Sequence, residues 1–190
     1  MKKTYSVGVY RAIDLTLFAV ILCVFESVIV RVSSSPVFRD QAYSVSLAAA
    51  ITTIVFFRWG YWGGIHALLA GIVWCVMGGG SRLQLAVYAA GNLFSLFMVP
   101  LIRGAGSERI LKSRWLYLLM GLGTLLLMQL GRAAVALVAG ASLAEALRFL
   151  TTDSLSAVFT WAILWIAHRL DGICEDQVRY VKRIGHETDE

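Results

Sequence analysis

Glu26 and Arg132 are charged side chains set inside long apolar runs, and Trp74, Gln84, Tyr88, Asn92, Gln129 and Asp153 are the polar and aromatic residues nearest them in depth. Groups of this kind recognise small solutes: a guanidinium takes a carboxylate or phosphate, and the faces of Trp and Tyr take a ring. Gln84, Tyr88, Asn92 and Ser95 follow one another at helical spacing and form a polar row on one face. Asp153, Ser156 and Thr160 form another, with Asp153 a natural N-cap. Ionisable groups at membrane depth are costly and face a bundle interior or a wet cavity. At about 1.5 Å per residue, Trp74, Glu26, Gln129 and Arg132 fall roughly 20–26 Å from the inner edge of a core about 30 Å thick. The expectation is a polar, aromatic-lined pocket in the outer half, with Glu26 and Arg132 either binding ligand or pairing structurally.

The same residue types do not compose catalytic machinery. His66, His168 and Cys75 are not spaced as a metal box, and neither Gly-x-Ser-x-Gly nor His-Glu-x-x-His occurs. No phosphate loop is present, so any use of ATP belongs to another chain. The reading is therefore a non-enzyme with no catalytic residue, metal or cofactor. His66 reads as a hydrogen-bonded structural histidine, and Cys23, Cys75 and Cys174 as small buried hydrophobes.

The elements that must position these groups are membrane helices. The 190 residues are 58% hydrophobic and 15% charged, with a mean hydropathy of +0.72. That is far from the roughly one-quarter charged content of a soluble domain. Six apolar spans are expected, at 12–30, 42–57, 61–78, 83–102, 115–141 and 154–168. One set of connections carries Lys2, Lys3, Arg11, Arg58, Arg103, Arg109, Lys112, Arg114, Arg169, Arg179, Lys182 and Arg183; the other carries Arg31, Arg39, Arg82 and Arg148. The positive-inside rule then places both termini in the cytoplasm of a plasma-membrane protein. The net charge of +5 is explained by this topology, with no nucleic-acid partner.

The fold class expected is all-α: a single bundle of six transmembrane helices over residues 1–170, followed by a cytoplasmic amphipathic tail, 171–190. The third span is expected to be the central helix onto which others dock. Arg58, Trp59, Tyr61 and Trp62 suit an interface, and Gly63, Ala67, Gly71 and Cys75 draw a small-residue packing stripe. The first outward connection, 32–41, holds SSSPVF and could cover a cavity. Pro100 ends or kinks the fourth helix before the basic connection GAGSERILKSR, a plausible docking surface. In the tail, Ile173, Tyr180, Val181 and Ile184 share a helical face.

Two stretches, RWGYWGGIHALLAGIVW in span three and YAAGN at Tyr88–Asn92, give the chain a resemblance to the substrate-binding S components of energy-coupling-factor vitamin transporters. The resemblance implies a bacterial six-helix membrane protein that captures a vitamin-like solute from outside. It also implies a membrane coupling protein with two cytoplasmic ATPases, and no catalytic residue in this chain. Helix one departs from the family, with Ala12 and Ala19 seven apart in place of Ala-x-x-x-Ala. A different class stays open beside it: a non-transporting membrane scaffold or accessory subunit whose polar rows only tie helices together. An intramembrane enzyme ranks last, for want of a nucleophile and base together.

Overall fold

In the computed structural model the residues described, 6–35, 45–170 and 172–180, are helical with short turns and contain no strand. Five helical segments are long and apolar enough to cross a membrane: Val7–Ser33, Ala48–Met77, Arg82–Ala105, Arg114–Val138 and Leu143–Ala167. Residues 36–44, which include most of the expected cover over the cavity, lie outside the described residues, as do Val181 and Ile184 of the tail's apolar face.

The first segment is one helix, α1 (Val7–Ser33), capped by the Ser6 hydroxyl, which accepts from the Val9 amide at 3.3 Å. It turns Leu22, Glu26 and Val30 inward and leaves Ile13, Leu17, Val20, Val24 and Val28 exposed, a face suited to lipid. The second segment is interrupted. α2 (Ala48–Trp59) stops at Gly60, whose φ of 60° is open to glycine and strained for most other residues. A 3-10 turn, Gly60–Trp62, then leads into α3 (Gly63–Met77). A Cβ on Gly63 would stand 3.2 Å from the Thr52 carbonyl oxygen. In a straight helix those residues would be about 16 Å apart, so the chain folds back here and α3 packs against α2.

Every residue of α2 is buried, whereas α3 leaves Ile65, Leu68 and Val76 exposed. The innermost helix is thus α2 and not the span expected to hold the centre. The reason lies in composition: AAAITTIVFF is small or apolar on every side and has no polar face to turn outward. It supplies residues to both apolar clusters, one around Phe57, Ile102, Ile110, Tyr117 and Leu164, the other around Leu22, Ile51, Val55, Ala67 and Met128.

On α3, Gly63, Ala67, Gly71 and Cys75 are all buried. Gly63 faces α2, and Gly71 faces the next helix, α4 (Arg82–Asn92), where a Cβ would come within 2.6 Å of the Tyr88 carbonyl. Gly71→Ala is expected to destabilise by about 1–3 kcal/mol, because backbone must move to admit the methyl. Gly104→Ala, which meets nothing within 4 Å, should leave the melting temperature in detergent nearly unchanged.

A 3-10 stretch, Leu93–Phe97, joins α4 to α5 (Met98–Ala105). Pro100 therefore does not end this segment. It sits in the first turns of α5, and the 3-10 geometry before it accommodates the missing amide. The segment ends at Gly106 (φ 82°), followed by α6 (Ser107–Lys112) and the long α7 (Arg114–Val138). Gly91 of α4 lies directly on α7, where an added Cβ would be 2.6 Å from the Arg132 backbone.

The last segment comprises α8 (Leu143–Thr151) and α9 (Ser154–Ala167), with a break at Thr152–Asp153. α8 falls where the apolar-span pattern predicts a connection. Its local signal is Ser142-x-x-Glu145, a capping box with both reciprocal bonds made.

Candidate functional site

α4, α7 and the α8–α9 break bring Tyr88, Asn92, Arg132 and Asp153 together, and α3 adds Trp74. Arg132 is 5% exposed. Its Nε donates to Asn92 Oδ1 at 2.8 Å and its Nη1 to Asp153 Oδ2 at 2.7 Å. Asn92 is held in turn, because its Nδ2 donates to the Ala67 carbonyl of α3 at 3.0 Å. The close approach at Gly91 allows this: with no side chain there, α4 lies near enough to α7 for Asn92 to reach the guanidinium.

Aromatic faces cover the cation. The Tyr88 ring lies 4.8 Å from the Arg132 guanidinium carbon, in cation–π range, and stacks on Trp74 at 4.1 Å and 19°. Phe149 of α8 meets Tyr88 edge-on at 5.7 Å. Outside Tyr88 and Phe149 opens a cavity of about 450 Å³, bounded by α4, the end of α7 and α8. Arg132 carries more N–H donors than Asn92 and Asp153 take, so a solute that displaced the Tyr88 ring would find donors behind it.

Glu26 lies on the same side of the bundle but does not pair with Arg132. Its Oε2 accepts from the Leu47 amide at 3.1 Å at the start of α2, and it feels the charges of both Arg132 and Asp153. Hydrogen bonding to an unpaired helix-start amide is a good use for a buried carboxylate. Asp153 stands at the N-cap position of α9, as its place in the sequence predicts, but its side chain makes no capping bond, because the carboxylate is drawn to Arg132. The neighbouring Ser156 Oγ accepts from the Ser46 amide at 3.0 Å, tying α9 to the start of α2.

The remaining sequence candidates stand apart from this cluster. Gln84 is exposed at the cavity rim, where its side chain accepts from the Ser81 amide at 2.7 Å and closes a capping box. Ser-x-x-Gln was the available signal that its role is at the helix start. Gln129 is buried on α7, about one turn before Arg132. His66 Nε2 bonds the Leu15 carbonyl at 3.0 Å and ties α3 to α1.

A second polar network, which sequence reasoning missed, occupies the opposite end of the bundle. Asp14 of α1 accepts from Arg58 Nε at 2.8 Å, Arg58 Nη2 at 2.5 Å and Trp59 Nε1 at 2.6 Å. Arg58 Nη1 donates onward to the carbonyls of Gly172 and Ile173, at 3.0 and 2.7 Å. The first part of the tail is thus a strap across the bundle's end. Gln177, 1% exposed, accepts from the Tyr10 hydroxyl and donates to the Gly172 and Glu175 carbonyls. Cys174 packs against the Tyr117 hydroxyl at 2.9 Å, and burial pushes its thiol pKa up, which keeps it protonated and unreactive. The available signal was an aspartate about two turns into a mostly apolar helix.

Among the described residues no group of His, Cys, Asp and Glu is arranged to hold a metal ion. The fold and these two networks define an all-helical protein with the length and apolarity of a membrane protein. No family model, curated protein or solved structure matches the chain.

Proposed function

We propose that the chain is a membrane-embedded substrate-binding subunit of the S-component type, capturing a small vitamin-like solute for uptake. The reading takes six crossings of the plasma membrane, counting α2 and α3 separately, with both termini cytoplasmic. A membrane coupling protein with cytoplasmic ATPases supplies the energy, and this chain does no chemistry of its own.

The observation that carries the proposal is the Trp74–Tyr88–Arg132 stack, whose Tyr88 lines the cavity beside α8, with Asp153 and Asn92 holding the guanidinium in place. A buried cation under aromatic rings, next to an open cavity, suits a solute with a ring and an anionic group. Such a solute competes with Asp153 for Arg132. A reading as a non-transporting scaffold has support in the same bonds, since Arg132, Asn92 and Asp153 link α4, α7, α3 and the start of α9.

The deciding experiment is purification in mild detergent, denaturation, and mass spectrometry of any released small molecule. A stoichiometric vitamin-like compound is expected. With that compound in hand, Tyr88→Ala should weaken its binding at least about tenfold through lost stacking, without loss of the folded bundle. An empty preparation that shows no thermal shift across a micronutrient panel, yet retains one protein partner, would favour the scaffold.

A further inference from the structure

The end of the bundle carrying Asp14 and Arg58 holds a larger cavity, about 960 Å³, walled by α1, the α2–α3 turn, α5, α6 and the tail. Its lining is strongly basic. Arg58 is committed to Asp14 and the tail carbonyls, and Arg179 to Glu108 at 2.5 Å. The other carboxylate in the lining, Asp176, caps the tail's helical turn by accepting from the Val178 and Arg179 amides.

Arg11, Arg103, Arg109 and Lys112 also line the cavity, and none has an acidic partner within ion-pair distance among the described residues. Two of them rest on aromatic faces, which hold a guanidinium without neutralising it: Arg11 lies 4.5 Å from Trp62 and Arg103 4.9 Å from Tyr61. Gly60 serves this arrangement a second time, since a Cβ there would be 2.7 Å from Arg103 Nη2. Four cations gathered around one space repel one another unless an anion enters it.

We infer that this cavity binds a phosphate group, and that the group belongs to an anionic phospholipid headgroup. Tyr61 and Trp62, half-exposed beside the cavity, are the amphipathic rings that settle at the level of headgroups. A cavity open at that level, between helices and lined by Arg and Lys, receives a phosphate from the bilayer and releases the counterions that otherwise screen it. The site is independent of whichever solute occupies the Arg132 end.

The test uses the full chain in neutral detergent, with phosphatidylglycerol or phosphatidylcholine added as mixed micelles. Melting temperature and native mass spectrometry are the readouts. The wild type is expected to retain phosphatidylglycerol in preference to phosphatidylcholine and to melt higher with it. Arg103→Gln/Arg109→Gln should weaken that binding at least about tenfold, since each basic residue near an anionic headgroup is worth roughly fivefold. Both side chains are exposed, so the variant should elute and melt as wild type without lipid. Arg114→Gln/Arg169→Gln removes the same charge beside Trp165, outside the cavity, and should keep the preference. Equal losses in the two double variants, or equal retention of the two lipids, would overturn the site. Stabilisation by inorganic phosphate alone that matches the lipid's would overturn the lipid as its source.

Discussion

Arg132→Ala is expected to abolish solute capture and to lower stability by about 3–5 kcal/mol, because it leaves Asp153 buried without its counter-charge. Asp153 is 5% exposed, and its carboxylate lies 2.7 Å from the guanidinium, so the pair is shielded from bulk water. The single variant alone does not separate a ligand site from a structural pair. Arg132→Gln/Asp153→Asn does: with both charges gone, a neutral though smaller amide pair should recover part of the stability. Solute binding should stay lost in the double variant if Arg132 touches the ligand. Melting curves with and without the co-purified compound read both quantities, and binding that returned together with stability would assign the pair to structure alone.

The second large effect belongs to the opposite end. Arg58→Ala is expected to cost about 3–5 kcal/mol, because Asp14 would remain buried with only the Trp59 indole donating to it. The Ile173 carbonyl would lose its donor at the same time, and the Gly172 carbonyl would keep only Gln177. The strap should then lift, and trypsin should cut at Arg179 faster in the variant than in the wild type. Cleavage at Arg114, at the start of α7, serves as the internal reference. An unchanged rate at Arg179 would show that Gln177, Cys174 and Tyr10 hold the tail without Arg58.

These two networks were unequally legible in the sequence, and the difference is physical. Tyr88 and Asn92 are four apart on one helix, so their shared face follows from the α-helical repeat. That Arg132 would need a partner follows from the cost of burying a charge. Which partner it takes does not. Glu26 and Asp153 are both acidic and near it, and the choice depends on the rotation of α1 and on the break before α9, which packing decides. Gln84 shows the other side: it fits the polar row and lines the cavity, but its side-chain oxygen is also taken by the Ser81 amide, a local bond that forms without tertiary contact. The Asp14–Arg58 pair joins residues 44 apart, and periodicity on either helix gives no hint of it.

Composition by itself determined the class of solvent this chain is built for: a mean hydropathy of +0.72 and long apolar runs admit backbone only as helices that satisfy their own hydrogen bonds. It also located the polar residues whose burial demands an explanation. Only the tertiary structure decided that α2 is the helix with no outward face, that Gly71 and Gly91 let α4 sit against α3 and α7, and that the tail is strapped down by Arg58. The physical reason is one of range. Helix formation is settled by residues three and four apart, whereas the rotation and approach of helices depend on which small residues on different segments meet, and no single segment contains that information.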